Sequence, residues 1–118
     1  MRIDFEAAGD VCIVRLEGRF VAGSDAEYLR TRERLKQSEF KKAIVDCTEV
    51  PYLDSTALNF LVGMYTTMTN AGGRLVLCGL NSRMGEVLRI THLDEIIPVR
   101  PDRAQALAAL QGDAAKKG

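Results

Sequence analysis

Residues 42–78 read KAIVDCTEVPYLDSTALNFLVGMYTTMTNAGGRLVLC, and this stretch decides the fold. Lys42–Cys47 is an apolar run of strand length. Pro51 keeps the connection Thr48–Leu53 irregular. Asp54, or Ser55, is placed to cap a helix. Ala57, Leu58, Leu61, Met64, Tyr65 and Met68 then recur three and four residues apart, which marks one face of a helix. Gly72-Gly73 ends that helix, and Arg74–Cys78 is a second apolar run. Strand, helix and strand in this order form a right-handed crossover between parallel strands.

The flanks extend the pattern. Arg2–Ala7 alternates apolar and polar residues, Gly9-Asp10 is a turn, and Val11–Leu16 follows, so the two runs read as a hairpin. Gly18–Gly23 is a loop. Ser24-Asp25-Ala26-Glu27 matches a capping box. It predicts a helix of about 13 residues with Leu29 and Leu35 inward and Arg30, Arg32, Glu33, Arg34 and Lys36 solvated. Towards the other end, Asn81 or Ser82 caps a helix carrying Met84, Val87 and Leu88, and Ile96–Val99 is a short strand. Asp102-Arg103-Ala104-Gln105 opens a helix with Leu107 and Leu110 inward and Gly112 after it. The expectation is an α/β domain over residues 1–112, with a frayed tail at 113–118. Its sheet is mixed and mostly parallel, with about four to five strands, covered by about four helices.

Composition narrows the function classes. A chain of 118 residues is one domain of ordinary size. Sixteen basic and sixteen acidic residues balance to zero net charge, which argues against a nucleic-acid surface or a polybasic membrane anchor. Met1–Glu6 carries charge at once and has no apolar run of the signal-peptide kind. Ser55–Gly73 is free of charge for 19 residues, but seven polar side chains interrupt it, so it does not read as a membrane span. Cys12, Cys47 and Cys78 lie in or beside apolar runs, with no C-x-x-C. They read as reduced, buried hydrophobes, which suits a cytoplasmic protein. A zinc site would need His92, the only histidine, as a fourth ligand, and no spacing brings it to the cysteines; no metal or cofactor is expected.

Chemistry concentrates at Leu53-Asp54-Ser55-Thr56-Ala57-Leu58. An acid and two hydroxyls meet where a connection becomes a helix N-terminus, with free backbone N–H groups and a positive dipole end. A phosphate would find donors there. The same residue types are also the preferred N-caps, so a purely structural account serves as well. The outward positions of that helix, Thr56, Asn59, Gly63, Thr66 and Asn70, carry no charge. Such a face suits docking on a protein, since no charge must be desolvated. It equally suits a helix covered by its own neighbours. Catalytic patterns are missing: there is no G-x-S-x-G, P-loop or G-x-G-x-x-G. Asp46 ends a strand but has no acidic pair to hold a metal with it, and His92 reads as a residue at a helix end.

Asp54-Ser55-Thr56-Ala57-Leu58, then Gly72-Gly73 before the strand to Cys78, then Val87–Ile97, resemble the STAS domain family of sulfate transporters and anti-sigma factor antagonists. The resemblance extends from Val11–Gly18 to the last helix. It implies a STAS-like fold and a single-domain anti-sigma factor antagonist, not an enzyme. Such a module sequesters an anti-sigma factor, a GHKL-type serine/threonine kinase, when unphosphorylated. The kinase phosphorylates the module and a PP2C-type phosphatase restores it. By the same resemblance Thr56 is the phosphoacceptor, with Ser55 as the alternative, and Asp54 shapes the site. The partner surface comprises Asp54, Ser55, Thr56, Asn59, Gly63 and Thr66, on a monomer or weak dimer. Thr56 stands where Ser is commoner, and His92 where Gly is frequent. Two competing readings are a non-switching STAS scaffold, of the stressosome or lipid-transporter-associated kind, and a small phosphotransfer enzyme using Asp54 or Asp46.

Overall fold

The computed structural model describes residues 2–19, 23 and 25–117, with side chains as far as residue 111. Five strands form one sheet in the order β1-β2-β3-β4-β5, so neighbours in space are neighbours in the chain. β1 is Arg2–Ala8 and β2 is Val11–Glu17; they pair antiparallel about the turn at Gly9-Asp10. β3 (Lys42–Glu49), β4 (Arg74–Cys78) and β5 (Val99–Arg100) continue the sheet in parallel. The helices are α1 (Asp25–Gln37), α2 (Ser55–Asn70), α3 (Ser82–Ile90) and α4 (Arg103–Lys117). The mixed, mostly parallel α/β architecture expected from the sequence is the one observed.

The three central strands read as unbroken apolar runs because both of their faces are covered. On the front, Cys12, Val14 and Leu16 of β2, Ala43, Val45 and Cys47 of β3, and Leu75 and Leu77 of β4 form the main core with α1, α2 and α3. On the back, Val11, Ile13, Ile44, Val76 and Cys78 pack on Ala106 and Leu110 of α4. The strand period of two sorts one continuous apolar run into these two cores. All three cysteines are free and buried, as the sequence suggested.

Several local expectations are corrected. Leu29 is 63% exposed, not inward. The buried line of α1 is Tyr28, Thr31 and Leu35, because Tyr28 stacks on Phe60 of α2 with ring centroids 4.5 Å apart. Thr31 is tolerated in that line because its hydroxyl donates to the Glu27 carbonyl at 2.8 Å. The last strand is Val99–Arg100 rather than Ile96–Val99: a short 3-10 turn at Leu93–Glu95 and Pro98 delay it. Pro98 still supplies an acceptor, since its carbonyl takes the Leu77 N–H at 2.9 Å. α4 continues past Gly112 to Lys117. One interior Gly costs about 1 kcal/mol, which Ala114, Ala115, Lys116 and Lys117, as strong helix formers, can carry. Ser24, which would begin the capping box of α1, lies outside the described residues.

His92 is the one non-glycine residue at positive φ among the described residues, at φ 63°. It follows the end of α3, where the chain reverses and glycine is usual. Its Nδ1 lies 2.7 Å from a Glu95 carboxylate oxygen, a local contact that helps hold the conformation.

Candidate functional site

The connection from β3 to α2 runs along the edge of the sheet where the parallel strands end, the edge at which open α/β sheets carry their sites. The Gly18 N–H donates to the Glu49 carbonyl at 3.0 Å, and the Asn81 side chain donates to the Pro51 carbonyl at 3.2 Å. These bonds hold the connection to its two neighbours. The Arg19 guanidinium lies over the Tyr52 ring, 5.3 Å from its centroid. Leu53 is buried and fixes the chain just before the helix.

Asp54 is the N-cap of α2. Its backbone is extended, and its Oδ1 accepts the Ala57 N–H at 3.0 Å. That settles the choice between Asp54 and Ser55. Ser55 is exposed and Thr56 half-buried, while Ala57 turns into the core. Within helices, Thr31, Thr69 and Thr91 donate their hydroxyls to the carbonyl four residues back. Thr56 sits in the first turn, where no helical carbonyl stands four residues back. Its hydroxyl makes no hydrogen bond among the described residues, so it stays available. A helix start thus yields both a fixed carboxylate and an unspent hydroxyl two residues later.

The uncharged face of α2 is partly shared with α1. The two helices run side by side in the same direction, with Tyr28 over Phe60 and Arg32 over Gly63. A Cβ on Gly63 would stand 2.8 Å from the Arg32 Nε, so residue 63 is small because a guanidinium lies on it. Of the six residues assigned to the partner surface, Asp54, Ser55, Thr56 and Asn59 lie together at the start of α2. Gly63 lies beneath Arg32. Thr66 lines a separate groove of about 390 Å³, with Leu29, Arg32 and Asn70. Thr56 and Asn59 line a groove of about 250 Å³ with Asp25, Tyr28, Leu29, Arg32 and Phe60. Leu29 and Arg32 were missed as site residues. An uncharged Gly inside an otherwise ordinary helix was the available signal that a neighbour approaches there.

Asp46, eight residues before Asp54, is spoken for. Its side chain is only 7% exposed and accepts from the Thr48 N–H at 3.0 Å, the Thr48 hydroxyl at 2.6 Å and Arg103 Nε at 2.6 Å. Burial alone would raise its pKa; the hydrogen bonds from Thr48 and Arg103 outweigh it and hold the carboxyl below its ordinary value. Arg103 also reaches Glu6 of β1 at 3.3 Å. Cys78 is pushed up to about 12, mainly by burial, and burial also raises Cys12 and Cys47. These thiols stay protonated and are poor nucleophiles. Among the described residues, no group of three or more His, Cys, Asp or Glu side chains is arranged to hold a metal ion. No helix among them is long and apolar enough to cross a membrane.

Comparison with known proteins fits this geometry. Residues 2–106 match the family described as STAS domain. The anti-sigma-B factor antagonist of Listeria monocytogenes is 37% identical over 86 residues, covering 69% of this chain and 75% of that protein. An anti-sigma-factor antagonist (STAS) domain protein from Planctomyces limnophilus superposes with a TM-score of 0.82 at 21% identity, over 92% of this chain and 97% of that one. The Bacillus cell fate determinant SpoIIAA in its phosphorylated form superposes with a TM-score of 0.69 at 15% identity, over 92% and 98% of the two chains. The low identity of these two solved structures makes them evidence of fold alone.

Proposed function

The chain belongs to the STAS domain family, and on that footing we propose that it is an anti-sigma factor antagonist switched by phosphorylation of Thr56. Unphosphorylated, it binds and occupies an anti-sigma factor of the GHKL kinase type in the cytoplasm. The kinase moves a phosphoryl group from a nucleoside triphosphate to the Thr56 oxygen. The nucleoside diphosphate leaves, and the hydroxyl proton passes to a base of the kinase. A PP2C-type phosphatase reverses the step by hydrolysis. The chain itself performs no catalysis in this scheme.

One observation carries the reading. Thr56 offers a hydroxyl without an intrahelical acceptor, half-exposed, two residues after a capping carboxylate. The names of the relatives agree with an antagonist role, and a structural neighbour, SpoIIAA, is known in a phosphorylated form, which supports the reading. Ser55, fully on the surface, is the alternative acceptor.

The switch has a physical basis. A phosphate adds about −1.5 to −2 charge. At about 6 Å from the Asp54 carboxylate and an effective dielectric of about 20, each unit charge pair costs about 3 kcal/mol. The positive end of α2 offsets about 0.3–1 kcal/mol. The free domain relieves the rest through water. A closed interface has no water to do so, and a loss of about 3 kcal/mol weakens binding roughly a hundredfold.

The test is intact mass and peptide mapping of the protein from its native cells, followed by binding of variants to the co-purifying partner. Phosphate on Thr56, with Thr56→Glu folded but about a hundredfold weaker and Thr56→Ala bound constitutively, is the expected result. Phosphate on Ser55 moves the acceptor by one residue. No phosphate under any growth condition, with a partner still bound, overturns the switch in favour of a non-switching scaffold.

A further inference from the structure

Arg32 Nε is the one side-chain polar atom among the described residues that is buried and has no hydrogen-bond partner. Buried donors in folded proteins are nearly always paired, so an orphan asks for an explanation. The guanidinium lies flat on α2, over Gly63, and could not do so over any larger residue. Helical side chains lean toward the N-terminus of their own helix. In α1 that direction leads from Gly63 toward the start of α2. The groove on that side is lined by Thr56 and Asn59 of α2 and by Asp25 and Arg32 of α1. Among the described residues, Arg32 is the only cation in its lining. Its volume, about 250 Å³, admits a phosphoryl group. Asp25 in the same lining opposes an added anion, as does Asp54, two residues before Thr56.

We infer that Arg32 is the internal receptor of the phosphate on Thr56: from its place over Gly63, two turns along α2, the side chain with its unpaired Nε–H swings down the α1–α2 groove and donates its guanidinium N–H groups to the phosphoryl oxygens. This rests on Thr56 being the phosphoacceptor. It adds a second consequence to the modification. Beyond placing charge on the partner surface, the phosphate ties α1 to α2 and fills the groove between them. Guanidinium suits the task, because its planar donors meet phosphate oxygens in pairs. Asp25 works against the pair and keeps it reversible.

The test uses the full chain with phosphothreonine incorporated at position 56 during translation. The phosphate is titrated by phosphorus NMR, and the Arg32 Nε–H resonance is followed by proton–nitrogen NMR. Its second pKa, ordinarily about 6, is expected about one unit lower in the otherwise unchanged chain than in Arg32→Gln. Arg32→Lys, which keeps the charge and loses the paired donors, should fall between them. Asp25→Asn should lower the value further. The Nε–H resonance should move on phosphorylation. A phosphate that titrates alike with and without Arg32, and an unmoved Nε–H, overturn the inference. That failure is distinct from failure of the switch itself, which is read from the phosphate content of native protein and the binding of Thr56→Glu. Arg32→Lys and Asp25→Asn keep the test decisive should Arg32→Gln fail to fold.

Discussion

Asp46 and Asp54 sit eight residues apart on one strand–connection–helix segment, and the fold treats them in opposite ways. Asp46 is buried on the back of the sheet, where three donors from Thr48 and Arg103 consume its oxygens. Asp54 stands at the front edge, spends one oxygen on the Ala57 N–H, and lies two residues from an unspent hydroxyl. The first carboxylate closes the structure. The second organises a surface. Chemistry of residue type does not separate them; depth in the fold does, Asp46 being buried and Asp54 half-buried at a helix start.

The contrast can be broken most forcefully at its buried end. Arg103→Ala removes the guanidinium from a carboxylate that is nearly buried. It should cost about 2 kcal/mol, less than for a wholly buried pair because Arg103 is itself part-exposed. Urea unfolding measures it, and an unchanged midpoint would mean that Thr48 alone satisfies Asp46. At the more exposed end, Asp54→Ala removes the helix cap. About 1 kcal/mol is expected, with partner binding reduced as well. Equal losses at the two sites would erase the distinction drawn here.

Acid sharpens the comparison. The folded pKa of Asp46 lies below its unfolded value, so its contribution is complete above about pH 4 and fades as pH falls through the folded value. The stability gap between the unchanged protein and Asp46→Asn should therefore narrow below about pH 4 and stay level above it. A gap that persists at lower pH would trace it to shape rather than charge. The smallest effect belongs to Ser55→Ala. Ser55 is exposed and not the cap, so its stability should change by less than about 0.5 kcal/mol.

These regions were unequally legible in the sequence. The capping carboxylate and its hydroxyl neighbour follow from rules acting over three residues, and Asp54, Ser55 and Thr56 could be placed from the chain alone. The central strands were equally plain, being apolar on both faces. Arg103 is 57 residues from Asp46 and 97 from Glu6, and no local pattern announces either bond. The inward set of α1 was misread at Leu29 because that helix packs on the sheet and on α2 together, and Tyr28 takes the place facing Phe60. β5 is two residues long and exists only by pairing with Leu77 and Cys78, so its bounds could not be read from its own composition. Arg32 looked like solvated charge, since only the meeting of α1 with Gly63 shows otherwise.

The single helix on the back of the sheet also sets a schedule for synthesis. Because spatial and chain order of the strands coincide, each parallel strand emerges to find its neighbour already made. Three helices can cover the front as they appear. Val11, Ile13, Ile44 and Val76 have no cover until α4, the last element, is complete. At about 5–20 residues per second, the 15 residues of α4 take on the order of a second to make, and until they pack this apolar face stays open to chaperone capture or misassociation.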